Sequence, residues 1–78
     1  MTSVFKALSD PTRRAILEHL QKGPMGAGEL AELFDVSKPT MSAHFAVLVA
    51  AGLIAPEKQG RSITYHPVSY THLRAHET

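Results

Sequence analysis

Ser37-Lys38-Pro39 and Gly52 enclose the segment that most restricts what this chain can become. Serine is a good N-cap, and a proline in the first helical turn gives up an N–H that has no partner there in any case. Gly52 supplies the stop. Between them Met41, Phe45 and Leu48 fall at i, i+4 and i+7, a single apolar stripe. The opposite face carries Lys38, Thr40, Ser42 and His44 with the small Ala43 and Ala46. The spacing predicts a helix from Ser37 to about Ala51, one side in a core, the other narrow and polar.

The flanking segments have their own punctuation. Asp10-Pro11 reads as N-cap and first helical residue, with Ile16, Leu17 and Leu20 at helical spacing and Gly23-Pro24 as the stop. Thr2 to Leu8 is expected to form a short leading helix with Val4, Phe5 and Leu8 on one face. Residues 26–28 read as loose, followed by a short helix from Glu29 to Phe34 burying Leu30, Leu33 and Phe34, and a turn at Asp35-Val36. After Gly52 the period changes. Ile63 and Tyr65 alternate with Ser62, Thr64 and His66, the pattern of a half-buried strand, and Gly60 turns it against Leu53–Gln59 as a hairpin. The expected fold is mainly α with a small β-hairpin: helix, helix, turn, helix, hairpin.

With 78 residues there is room for one small domain, whose core is thin enough for self-association to be a common remedy. Cysteine is absent, which removes disulfides, thiolate metal sites and a cysteine nucleophile. No apolar run approaches the roughly 20 residues of a membrane span and no signal peptide is read, so a soluble cytoplasmic protein is expected. Net charge is only +1, but it is unevenly placed. Residues 1–36 carry Lys6, Arg13, Arg14 and Lys22 against five carboxylates, giving −1; residues 37–66 carry Lys38, Lys58 and Arg61 against Glu57 alone, giving +2. Local field, not total charge, steers a protein to a polyanion.

Two helices joined by a short turn, the second slim and polar outside, make a helix-turn-helix, and the second must fit a major groove about 12 Å wide. The hairpin tip, with Lys58, Gln59 and Arg61 about Gly60, suits a wing against the phosphate backbone. Arg13 and Arg14 are read as structural, one of them pairing with Asp10, with a phosphate grip as the alternative. An enzyme finds no support: there are no convergent carboxylates and no phosphate-cradling glycine loop, and Ser42 and His44, two apart on a helix, do not face each other.

FKALSDPTRRAILEHL, then GELAELFDVSKPTMSAHFAVLVAAGLI, then KQGRSITYH, resemble in order the ArsR/SmtB family of winged helix-turn-helix repressors, and most nearly its SdpR-like autorepressor branch. The resemblance covers roughly residues 3–66 and implies a homodimer that binds double-stranded DNA at a palindromic operator of its own operon. It implies DNA contacts from Ser37, Lys38, Pro39, Thr40, Ser42 and His44 on the recognition helix, and from Lys58, Arg61 and Tyr65 on the wing. It further implies a protein partner that relieves repression. The family's metal sensors place cysteines on the helix before the turn; here that segment is ELAELFDV, so no metal and no cofactor is expected.

Residues 1–66 are thus expected to be the DNA-binding domain and 67–78 an atypical tail. PVSYTHLRAHET offers little apolar surface for the helix the family would place there and resembles translated adapter DNA, so it is expected not to be the natural C-terminus. Two alternative functions stand beside the repressor. One is a winged-helix protein-interaction module that does not bind DNA. The other is a metal-responsive sensor using His72 and His76, one helical turn apart.

Overall fold

The structure, a computed structural model, describes residues 4–68. Its elements run α1 (Val4–Ala7), α2 (Pro11–Leu20), β1 (Met25–Gly26), α3 (Ala27–Glu32), α4 (Lys38–Ala50), β2 (Ile54–Gln59) and β3 (Ser62–Pro67). This is a winged helix-turn-helix, as expected, with α3 and α4 forming the helical pair and β2–β3 the wing.

The predicted caps are the observed ones. Asp10 is extended and its carboxylate accepts from the Thr12 N–H at 3.3 Å, with Pro11 opening α2. The Ser37 hydroxyl accepts from the Thr40 N–H at 3.4 Å. α4 closes through Gly52 at φ +77°, whose N–H donates to the Val49 carbonyl while that of Leu53 reaches back to Leu48. These paired bonds satisfy carbonyls the helix end would otherwise leave open, and glycine takes the left-handed turn without steric cost. Gly60, at φ +63°, and Arg61 are the two-residue turn of the wing, since Gln59 pairs with Ser62.

Three expectations are corrected. The loose residues 26–28 are instead the end of β1 and the start of α3: Met25 pairs with Tyr65 and Gly26 with Thr64, so the wing belongs to a three-stranded antiparallel sheet of order β1-β3-β2. Glu29 returns its carboxylate to the Gly26 N–H at 2.9 Å and secures that helix start. α3 accordingly begins and ends two residues early. Leu33 falls beyond its last turn and is 50% exposed, and Phe34 is half-buried with its edge on His19, ring centres 5.9 Å apart. In α1 the side chain driven inward is Ala7, whereas Phe5 is 86% exposed, because a helix this short presents only one residue to the core. The second strand, β2, lies at the sheet edge, which accommodates Pro56 and its missing donor.

The core joins Ala7, Ile16, Leu20, Leu30, Met41, Phe45, Leu48, Ile54 and Tyr65, at least one residue from every element except β1. The stripe read from α4 supplies three of these, and the Phe45 and Tyr65 rings lie 4.6 Å apart at 31°. Burial pushes the Tyr65 phenol above its ordinary value of 10.0, because the phenolate loses hydration. A folded-state value above the unfolded one means a stabilising contribution that is full below pH 10 and lost as pH rises past it. Of the two tyrosines, the one removed by Tyr65→Phe is therefore expected to ionise last in an ultraviolet titration, and that variant to resist alkaline unfolding better. Coincident ionisation of both phenols at ordinary values would contradict this.

β3 extends to Pro67, and the Val68 N–H donates to the Leu53 carbonyl at 2.9 Å, so the chain stays attached two residues past the expected domain end. The remainder of the atypical tail, with His72 and His76, lies outside the described residues.

Candidate nucleic-acid interface

The N-terminal half of α4 stands clear of the core. Ser37, Lys38, Pro39, Thr40 and Ser42 are all exposed, as are Ala43 and Ala46. The Ser37 hydroxyl is consumed by capping: it accepts from the Thr40 N–H and donates to Thr40 Oγ1 at 2.9 Å. Thr40 thereby keeps its own O–H free to donate outward. Pro39 adds shape and no donor. Lys38, Lys58 and Arg61 are exposed, and among the described residues no carboxylate pairs with any of them.

The wing and α4 are related through the start of α3. Ala27 and Gly28 line two adjoining hollows; Arg61, Ser62 and Thr64 wall one, and Lys38, Ser42 and Phe45 wall the other. Arg61 of the wing and Lys38 of α4 therefore flank one surface about Ala27 and Gly28, with Glu29 beside Arg61 in the first hollow. Glu57, the single carboxylate between residues 37 and 66, is taken up by His66 Nε2, diagonally across β2–β3. The hairpin reading did not contain this pair, although a two-residue turn at Gly60-Arg61 dictates that diagonal.

Two of the expected contact residues are placed differently. Tyr65 is 9% exposed with its ring on Phe45, so it supports the wing from the core and not from its outer face. His44 has a side chain only 14% exposed, 3.8 Å from Asp10 and 3.2 Å from Arg13, and so is turned toward α2. The arginine pair is structural as expected, but apart from His44 its partners are carbonyls and not Asp10: Arg13 reaches those of Lys6 and Ala7, and Arg14 that of Leu8 at 2.7 Å.

A family model described as a helix-turn-helix domain matches residues 8–57. The transcriptional repressor SdpR of Bacillus subtilis strain 168 is 49% identical over 65 residues, 83% of this chain and 72% of SdpR. A solved ArsR family transcriptional regulator superposes with TM-score 0.82 at 40% identity, over 94% of this chain and 82% of that one. The chain belongs to the ArsR family. The HTH-type transcriptional regulator Rv2034 of Mycobacterium tuberculosis is 44% identical over 61 residues, and the chain spans 78% of itself and 57% of that protein. ArsR family proteins are DNA-binding transcriptional regulators and not enzymes, as the sequence led one to expect. Among the described residues no helix is long and apolar enough to cross a membrane, and no three His, Asp or Glu side chains converge as a metal site would require.

Proposed function

We propose that this ArsR family chain is a repressor of its own operon that binds a palindromic operator as a homodimer in the cytoplasm. In this reading α4 enters the major groove with Lys38, Pro39, Thr40 and Ser42 leading, while Lys58 and Arg61 bring the wing to the backbone. Residues 1–66 are the DNA-binding domain. The observation that carries it is a small, polar helix face bearing Lys38, with Arg61 and Lys58 on the wing, none of the three held by a described carboxylate, while Glu57 is engaged by His66 and Glu29 by the Gly26 N–H. A recognition helix needs small residues to approach base edges and cations at its margins to neutralise phosphates. The similarity to SdpR, named as a transcriptional repressor, supports the direction of control. Release by a protein partner belongs to the same reading.

Selection of duplex DNA from a random pool, combined with sedimentation of the free chain, tests this. The expected result is a dimer that enriches an inverted repeat and binds it less tightly as salt rises. A monomer enriching a single half-site would remove the homodimer, and failure to enrich any motif at low salt would remove the DNA-reading function altogether.

A further inference from the structure

Arg13 lies in the first turn of α2, yet its guanidinium joins three elements. Nε donates to the Ala7 carbonyl at 2.8 Å and Nη2 to that of Lys6 at 3.1 Å, the C-terminal end of α1. Nη1 stands 3.2 Å from Nδ1 of His44, on α4, 31 residues away in sequence. A guanidinium has only donors, so Nδ1 accepts and the imidazole proton resides on Nε2, which faces Asp10 Oδ2 at 3.8 Å. Asp10 is itself held as the N-cap of α2. His44 is thus the one polar side chain of α4 with described partners on another element, clamped between two groups fixed by α1 and α2.

We propose that Arg13 is a positioning residue for DNA reading, one that sets the rotation of α4 through His44 and makes no phosphate contact of its own. This rests on the reading of α4 as the recognition helix. The rest of α4 is held by Met41, Phe45 and Leu48. Apolar burial is non-directional and methionine adapts readily, so the stripe alone tolerates some rotation of the helix about its axis. A hydrogen bond does not. Thr40 lies one turn before His44 and Ser42 two residues before it, so a rotation at His44 moves both groups relative to the bases. Lysine cannot replace Arg13, because one ammonium centre does not reproduce a planar fork reaching two carbonyls and a ring nitrogen.

The test compares the duplex that the wild-type chain selects with a scrambled duplex of equal length. Arg13→Lys and His44→Leu are each expected to lower the ratio of specific to non-specific affinity about tenfold, leaving non-specific affinity and its salt slope unchanged. The double variant should lose no more than the worse single one, because both break the same link. His44→Asn, whose Oδ1 takes the place of Nδ1 as acceptor, should retain the discrimination. Parallel loss of both affinities with a slope shallower by about 1 identifies a phosphate contact and overturns the proposal. Additive losses in the double variant, or failure of His44→Asn to rescue, also overturn it. So does a lowered melting temperature with discrimination intact. If Arg13→Lys does not fold, the His44→Leu and His44→Asn pair decides, since it leaves the bonds from Arg13 to α1 in place. A wild-type chain that selects no duplex overturns the DNA reading itself, a result distinct from all of these.

Discussion

Leu48→Ala is expected to abolish the cooperative thermal transition of this protein or lower its midpoint by roughly 8–40 °C. Leu48 is fully buried at the third position of the α4 stripe, in the cluster that includes Ile54 and Leu20. Truncating a buried leucine costs about 2–5 kcal/mol, through lost transfer free energy and the cavity left behind. A core in a chain of this length rarely supplies more than about 3–5 kcal/mol, so one substitution consumes most of the margin. Leu33→Ala is the matched control. The same atoms are removed from a side chain 50% exposed beyond the end of α3, and the change should stay within about 0.5 kcal/mol. Circular-dichroism melts of both variants decide the matter, and similar melting of the two would show that α4 is not held by its stripe.

That contrast also marks where the fold was readable in the sequence. Asp10, Ser37, Gly52 and Gly60 act within a few residues of themselves, through a cap bond or a left-handed turn, and each stands where its chemistry placed it. The 3.6-residue period is equally local, so Met41, Phe45 and Leu48 were legible as core. β1 was not, because two residues have no period. Met25 and Gly26 are a strand only by virtue of Tyr65 and Thr64, some forty positions later. The alternation of β3 showed that Tyr65 faces one side of the sheet but not that this side meets Phe45. For the candidate site, exposure of Thr40 and Ser42 followed from helix geometry alone. The inward turn of His44 did not, since it depends on a guanidinium on another helix whose other bonds go to main-chain carbonyls that no sequence pattern announces.

Reversing the wing charges, Lys58→Glu with Arg61→Glu, is expected to weaken binding to every duplex, specific or scrambled, by roughly a hundredfold at moderate salt. Both residues are exposed on the two-stranded ribbon, at the end of β2 and in the turn, and no described carboxylate holds either, so the substitution should leave the fold intact. It changes the local balance of residues 37–66 from +2 to −2 by removing two cations and adding two anions. Each phosphate neutralised by a cation contributes about 0.9 to the slope of log affinity against log salt, so the slope should fall by close to 2. Repulsion from the new glutamates adds to the loss at low salt and fades as the Debye length shrinks to about 3 Å at 1 M. Thr40→Ala should behave in the opposite way, lowering discrimination while leaving the salt slope alone, because a hydroxyl at a base edge carries no charge. Filter binding across a salt series separates the two. If the doubly reversed wing retains both its non-specific affinity and its slope, the wing does not touch the backbone, and Lys58 and Arg61 serve some other end.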